Sequence, residues 1–296
     1  MYHRLRRAAA RIRSEVSSRA ILAAMSRAER ALGLTWSVPH AIRRSVRREL
    51  SPDEAGLVGR IEQVRREMES SREELHSTDY GAGSPGMGLT ALEMRKGRAV
   101  VSTVGETCLR ASKDAFWCTV LFMLIRERRP LDCLELGTAL GVSACYQAAA
   151  LRLNGSGRLV TLEGDERMAS IARDNLSRLG LDSAEVRVGR FQDMLQGVLE
   201  ELSTVDYAFI DGHHDEEATM RYFERVASVA SHDALLVFDD ISWSDGMARA
   251  WRCIREDPRV VMSLDAGMVG ICRLSEQSGR KSRQSHFTLP LRGFRR

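Results

Sequence analysis

Residues 131–143 read LDCLELGTALGVS, a short apolar run followed by a glycine-rich turn. The run is typical of a buried β-strand, and the segment after it, 142–153, has the apolar character and length of a helix. Gly137 and Gly141 allow a tight turn in which the backbone approaches a neighbour closely. This strand, turn and helix predict the first unit of a parallel sheet covered by helices.

The chain repeats this alternation on both sides of the turn. A helix over 112–129, capped by Ser112, is expected to precede the first strand. The predicted strands are 131–136, 158–163, 185–188, 205–210 and 234–238, with an antiparallel pair at 260–264 and 268–273. The predicted helices between them are 142–153, 166–179, 192–202, 216–230 and 246–257. The fold class is therefore α/β, with a doubly wound, mostly parallel, seven-stranded, Rossmann-like sheet and an N-terminal helical extension.

Four regions differ in composition. They are a basic helical extension (1–50), a charged helix (52–76) with a glycine-rich loop expected to act as a lid or substrate region (51–111), the sheet domain (112–274) and a basic flexible tail (275–296). Residues 1–48 contain twelve arginines and two glutamates. An amphipathic basic helix over 1–33 could contact a membrane surface, pack between the subunits of a homo-oligomer, or remain a solvated extension.

Composition excludes several classes of protein. With 296 residues, 44% hydrophobic and 28% charged, the chain is neither disordered nor fibrous. Its apolar runs are too short to span a bilayer, and its N-terminus lacks the apolar core of a secretory signal. Six scattered cysteines without a CxxC pair indicate a reduced, cytoplasmic protein with neither a zinc site nor disulfides.

Polar residues stand where the predicted strands end. Glu135 belongs to the first strand, Glu163 ends the second, and Asp211 follows the fourth with His213 and His214. The fifth strand leads into the pair Asp239-Asp240. Because ligands of doubly wound sheets bind beyond the carboxyl ends of the strands, we expect these groups to converge on one site. A carboxylate at the end of the second strand suits the two hydroxyls of a ribose.

The segments ELGTALGVS, GRFQD, DGHH and FDD resemble those of class I S-adenosylmethionine-dependent methyltransferases, in particular the catechol-O-methyltransferase-like O-methyltransferases. The resemblance covers residues 112–274. It implies an enzyme that transfers a methyl group from S-adenosylmethionine to a hydroxyl of a small molecule. The implied cofactor-binding residues are Glu135, Gly137, Thr138, Ala139, Gly141, Ser143, Glu163, Gly164, Phe191, Gln192 and Asp211. Ala139 replaces the middle glycine of the usual motif.

The same resemblance implies a catalytic pair and a metal. Asp211, Asp239 and Asp240 fall where the family holds Mg²⁺, and His214 falls where it often has a lysine base, which makes His214 and Asp211 the implied catalytic residues. Hard oxygen ligands favour Mg²⁺ over zinc. Alternatively, Asp239 and Asp240 could cap a helix near Trp243 without any metal. The loop 80–84 (YGAGS) is expected to join the site.

Two other functions stay open at this point. Glu163 could hold the ribose of NAD, which would make the chain an NAD-linked oxidoreductase, although G-x-A-x-G-x-S differs from the dinucleotide pattern G-x-G-x-x-G. A non-catalytic protein could instead use its basic ends for nucleic acid or anionic lipid. Nucleic acid is not favoured, because the body between those ends is acidic. Trp243, Met247 and Trp251 line a substrate pocket or belong to the core.

Overall fold

The structure is a computed structural model that describes residues 22, 23, 25, 26, 37–81, 83, 87, 89–275 and 284–289. The helices from residue 37 onward are α1 (Ser37–Arg47), α2 (Pro52–Glu69), α3 (Ala91–Lys96), α4 (Val104–Ala111), α5 (Ala115–Arg128), α6 (Val142–Asn154), α7 (Glu166–Leu179), α8 (Phe191–Leu202), α9 (Glu216–Ser228) and α10 (Asp245–Glu256). The strands are β1 (Glu74–Asp79), β2 (Arg98–Thr103), β3 (Asp132–Leu136), β4 (Arg158–Glu163), β5 (Ala184–Val188), β6 (Val205–Ile210), β7 (Ala230–Phe238), β8 (Val260–Asp265), β9 (Gly270–Leu274) and β10 (Ser285–Thr288).

The central sheet has the order β10-β8-β9-β7-β6-β3-β4-β5. The five strands from β7 to β5 run parallel, β9 is antiparallel to both its neighbours, and β10 is parallel to β8. The predicted α/β fold is confirmed. Since β3 pairs with both β4 and β6, the chain order reverses between β3 and β6, and this crevice is where such sheets bind ligands.

Two apolar cores cover the two faces of the sheet. One contains side chains of α1, α2, α5, α6 and α7, and the other contains side chains of α8, α9 and α10. Parallel strands buried on both sides need this double cover, which explains why β3 and β6 read as nearly continuous apolar runs. The helices α1 and α2 therefore share a core with the sheet domain.

The segment between α2 and α5 is more structured than the sequence predicts. The predicted helix over 52–76 ends at Glu69, and residues 74–79 instead form β1, which pairs with β2 in an antiparallel hairpin. The backbone N–H of Thr78 donates to Asp165 Oδ2 at 2.7 Å, which fastens this hairpin to the start of α7. The hairpin therefore lies against the carboxyl edge of the central sheet.

Three other expectations need correction. Asp114, not Ser112, caps α5, because its side chain accepts from the backbone N–H of Trp117 whereas Ser112 ends α4. The tail expected to be flexible contains β10, so the sheet has eight strands rather than seven in the part of the chain that the structure describes. The helix predicted over 1–33 lies outside the described residues, apart from four helical residues between 22 and 26.

Glu54 joins three helices. It is 2% exposed, and its carboxylate accepts from Arg44 Nη2 on α1 at 2.7 Å, Arg126 Nε on α5 at 3.0 Å and the backbone N–H of Ser51 at 2.9 Å. Burial alone would raise the pKa of Glu54, but these donors outweigh it and hold the pKa below the ordinary value of 4.5. The charged form therefore stabilises the folded state.

Replacing Glu54 with glutamine is expected to lower the free energy of unfolding by about 3 kcal/mol at neutral pH, because two arginines lose their buried partner. The contribution is present above pH 4.5 and is lost as the pH falls through the lowered pKa of the folded state, so wild type and variant should converge in acid. Urea denaturation across this pH range measures both effects. Glu217→Gln, which breaks an exposed pair with Arg221, should cost less than about 0.5 kcal/mol. Equal stability of Glu54→Gln and wild type would contradict the assignment.

Candidate active site

A cavity of about 630 Å³ opens at the carboxyl edge of the sheet, at the crevice between β3 and β6. The ends of β3, β4, β6 and β7 form its floor, and the β1–β2 hairpin forms one wall. The volume lies in the range of small-molecule sites. Of the residues predicted to bind the cofactor, those that line the cavity are Gly137, Ala139, Glu163, Gly164, Phe191 and Asp211.

Gly137 sets the shape of the crevice. Its φ is +107°, and a Cβ at this position would lie 2.0 Å from the carbonyl oxygen of Asp211. The glycine therefore lets the turn after β3 pack directly on the end of β6. The next turn residue, Ala139, has a φ of +46°, a left-handed conformation that explains why related motifs carry glycine there.

Glu163 closes the other side of the turn. Its carboxylate accepts from the backbone N–H of Ala139 at 2.7 Å and from that of Asp165 at 3.0 Å, and it lines the cavity. Burial raises the pKa of Glu163 to about 7, against the effect of these donors. Each carboxylate oxygen has a second lone pair, so both oxygens can still accept from the hydroxyls of a ribose.

Five other residues predicted to bind the cofactor do not line the cavity: Glu135, Thr138, Gly141, Ser143 and Gln192. Glu135 is fully buried and accepts from Gln147 Nε2 and Thr161 Oγ1, each at 2.6 Å. Burial raises its pKa to about 7. These contacts tie β3 to α6 and β4, so Glu135 supports the turn from below.

Aromatic rings form two walls of the cavity. The ring of Tyr80, from the predicted loop, packs directly on the backbone of Gly164, where a Cβ would lie 2.6 Å from Cδ2. Phe191 meets His213 edge to face, and His213 Nδ1 lies 2.9 Å from the hydroxyl of Tyr222. Burial lowers the pKa of His213 to about 4, so this imidazole is neutral at physiological pH and serves as part of the wall.

His214 faces the acidic end of the cavity. Its Nε2 lies 3.8 Å from Asp211 Oδ1 and its Nδ1 lies 3.8 Å from Asp240 Oδ2, distances beyond a hydrogen bond. The ring of Trp243 lies alongside, with centroids 5.5 Å apart. Among the described residues, the two nitrogens of His214 therefore have no carboxylate within hydrogen-bond distance and can meet a bound ligand. Trp243 lines the cavity, whereas Met247 and Trp251 belong to the buried core.

Asp211, Asp239 and Asp240, which we call the aspartate cluster, are brought together as predicted. Burial and the charge of Asp239 raise the pKa values of Asp211 and Asp240. The cation beside them is Lys113, whose Nζ bonds to Asp239 Oδ2. Among the described residues, no group of three or more histidine, cysteine or acidic side chains is arranged to hold a metal ion. Because the ammonium group of Lys113 already bonds to Asp239, the cluster with this lysine in place does not fit the predicted magnesium site.

Sequence reasoning did not find Lys113. The residue lies between α4 and α5, outside every motif of the sheet domain. One signal was present: the chain has three lysines, Lys96, Lys113 and Lys281, among 44 basic residues. A lysine placed before a buried helix, in a chain that otherwise uses arginine, marks a position that requires a compact ammonium group.

Comparisons with known proteins find similar domains. Residues 134–241 match a family model described as a methyltransferase domain. This part of the chain is similar to known methyltransferase domains. The resemblance noted from the sequence is confirmed, and the match spans the segment from β3 to the aspartate cluster. Among the described residues, no helix is long and apolar enough to cross a membrane.

Curated relatives of the methyltransferase domain are O-methyltransferases. The chain is 37% identical over 110 residues to a catechol O-methyltransferase of Niastella koreensis, covering 36% of this chain and 48% of that protein. It is 33% identical over 138 residues to a catechol O-methyltransferase of Mycobacterium tuberculosis, covering 46% and 58%. The chain thus spans about half the length of these relatives.

A solved structure shares the arrangement of the methyltransferase domain. Cofactor-bound Rv0187 from MTB superposes with a TM-score of 0.50 at 26% identity, over 57% of this chain and 84% of that one. The alignment leaves the remaining 43% of this chain outside the shared fold.

Proposed function

We propose that the chain is an S-adenosylmethionine-dependent O-methyltransferase that acts on a hydroxyl group of a small molecule. The observation that carries the proposal is the cavity that joins the turn after β3, the Glu163 carboxylate and His214 in one space. The relatives reported above favour this function over an NAD-linked oxidoreductase or a non-catalytic binding protein.

The residues present fit the cofactor. The backbone of Asp211 occupies the space that a side chain at position 137 would need. The turn therefore carries no side chain at this position that could block a ligand. The carboxylate oxygens of Glu163 would accept from the hydroxyls of the ribose, and Tyr80 and Phe191 would provide flat apolar walls for the adenine. S-Adenosylmethionine supplies a methyl carbon made electrophilic by its sulfonium sulfur.

His214 acts as the general base in the proposed reaction. An imidazole nitrogen of His214 takes the hydroxyl proton of the acceptor, whose oxygen forms a bond to the methyl carbon while the carbon–sulfur bond breaks. When bound, S-adenosylmethionine would supply the methyl group and keep the electrons of the broken bond on its sulfur, and His214 would hold the proton and its positive charge. Asp211 and Asp240 lie on either side of His214 and stabilise that charge.

The acceptor is proposed to be a phenolic hydroxyl. Trp243 beside His214 provides a flat wall on which an aromatic ring can stack, and Met268 adds an apolar contact. Incubation with methyl-labelled S-adenosylmethionine and a panel of catechols, monophenols and sugars tests this directly. We expect labelled methyl on oxygen of a phenol; label found only on nitrogen or carbon would overturn the proposed chemistry.

The cellular setting is proposed to be the cytoplasm. All six cysteines are free in the structure, and five of them are buried, which suits a reducing compartment. Homo-oligomerisation through the N-terminal region and peripheral membrane contact by residues 1–33 stay predictions, because they rest mainly on residues outside those that the structure describes.

A further inference from the structure

The ammonium group of Lys113 points into the acidic end of the cavity, where the aspartate cluster lies. Its Nζ bonds to Asp239 Oδ2, and the two side chains are only 13% and 4% exposed. The other carboxylate oxygen, Asp239 Oδ1, is buried and has no hydrogen-bond partner among the described residues. The charge of Asp239 therefore depends on Lys113 for its compensation.

The backbone holds Lys113 firmly in this position. Its carbonyl oxygen accepts from Arg65 Nη1 on α2 at 2.7 Å and from Cys118 Sγ on α5 at 3.3 Å. Asp114, the next residue, caps α5. These contacts fix the backbone of Lys113 at the edge of the cavity, from which its side chain reaches Asp239.

Carboxylates surround the ammonium group of Lys113. The ammonium bonds to Asp239, and the other two members of the aspartate cluster, Asp211 and Asp240, lie close enough to attract it. His214, which also faces Asp211 and Asp240, is the other basic group at this end of the cluster. A permanent ammonium thus occupies the place where the carboxylates would otherwise attract a divalent ion.

We propose that Lys113 is the built-in cation of the acceptor site and that it replaces a divalent metal. The catalytic half of this inference rests on the proposed function. The ammonium lies in the cavity with His214 and can attract the acceptor oxygen as its proton leaves. The ammonium group donates hydrogen bonds and is a permanent part of the chain. Methyl transfer would therefore proceed without any added metal.

Metal binding tests the proposal without any methyl donor or acceptor. Wild type, Lys113→Met and Lys96→Met are titrated with Mn²⁺ alone and followed by electron paramagnetic resonance. Wild type and the exposed control Lys96→Met are expected to take up no Mn²⁺ at this site. Lys113→Met, which keeps the length of the side chain but removes its charge, is expected to gain one Mn²⁺ that the added change Asp239→Asn removes.

Two results would overturn the proposal. The first is stoichiometric uptake of Mn²⁺ by wild type that Asp239→Asn abolishes, because the lysine would then share the site with a metal. The second is a folded Lys113→Met protein that gains no Mn²⁺. Should Lys113→Met fail to fold, wild type and Asp239→Asn decide alone, since uptake by wild type contradicts the proposal and its absence supports it.

Kinetics supply the catalytic readout. Wild type dialysed against EDTA should keep its rate of methyl transfer, whereas Lys113→Met should lose about 10²–10³-fold in kcat and Lys113→Arg should recover part of the loss. A purely structural lysine would lower thermal stability without this recovery by a charged substitute. If S-adenosylhomocysteine does not bind, the proposed function fails while the Mn²⁺ result still stands.

Discussion

Replacing His214 with alanine is expected to lower kcat for methyl transfer about 10²–10⁴-fold, the usual contribution of a positioned general base. The imidazole lies in the cavity, and its nitrogens lie 3.8 Å from the carboxylate oxygens of Asp211 and Asp240, beyond a hydrogen bond. The variant loses the group that takes the acceptor proton but keeps the turn after β3 and Glu163. Affinity for S-adenosylhomocysteine should therefore change little.

His232→Ala is the matched control for this variant. His232 is 63% exposed at the far end of the sheet and contacts Asp233 and Ser275, away from the cavity, so its removal should leave the rate unchanged. The two readouts are kcat from product formation and the dissociation constant from calorimetry. A His214→Ala protein that turns over at nearly the wild-type rate would exclude this histidine as the base.

Replacing Gly137 with alanine is expected to destabilise the fold by about 2–5 kcal/mol, through a strained left-handed residue and overpacking against β6. The new Cβ would stand 2.0 Å from the carbonyl oxygen of Asp211, which is backbone and cannot rotate away. Separating the two strand ends would also displace Asp211 and His214 from the cofactor turn. A shift of about 1 Å can cost about 10²-fold in rate.

The control variant Gly155→Ala separates the effect of backbone strain from the effect of a steric clash. Gly155 also has a positive φ, +73°, but nothing lies within 4 Å of the position of its Cβ. This variant should lose only about 1–2 kcal/mol from backbone strain and should keep its activity. Thermal unfolding and the methyl-transfer rate distinguish the two cases. Equal behaviour of Gly137→Ala and Gly155→Ala would show that the close approach to Asp211 is unimportant.

Much of the sheet domain was predictable because its signals are local. The strands 158–163 and 205–210 and the helix 166–179 have the bounds predicted from apolar runs and helical spacing. Gly180 ends that helix in a left-handed conformation, as a glycine at this place indicates. The parallel arrangement follows from the alternation of strands and helices, which admits few other folds.

The hairpin and the last strand were missed because their signals are weak. The strand β1 follows a charged helix without an apolar break, and its burial depends on β2 and α7, which lie elsewhere in the sequence. The strand β10 has four residues within a basic segment, and only its pairing with β8 makes it a strand. The secondary structure of such segments is decided by their tertiary contacts and not by the strand propensity of their residues.

The residues of the candidate site divide in the same way, into those with a local sequence signal and those without one. Carboxylates at the strand ends could be placed from the sequence, since parallel strands present their carboxyl ends at one edge. The contact between Lys113 and Asp239 joins residues 126 positions apart and has no local pattern. Glu135 likewise reads as a cofactor ligand, and only the structure shows that Gln147 and Thr161 already engage it.

The account depends most on the pocket formed by the turn after β3 and Glu163. Titration calorimetry with S-adenosylhomocysteine, on the full chain, tests it most directly. We predict saturable binding of one molecule by wild type, about 10–100-fold weaker binding by Glu163→Ala because charge-assisted hydrogen bonds to the ribose are lost, and unchanged binding by Glu166→Gln, an exposed acid on the same edge. Absence of binding by folded wild type, or tight binding of NAD in its place, would contradict the account.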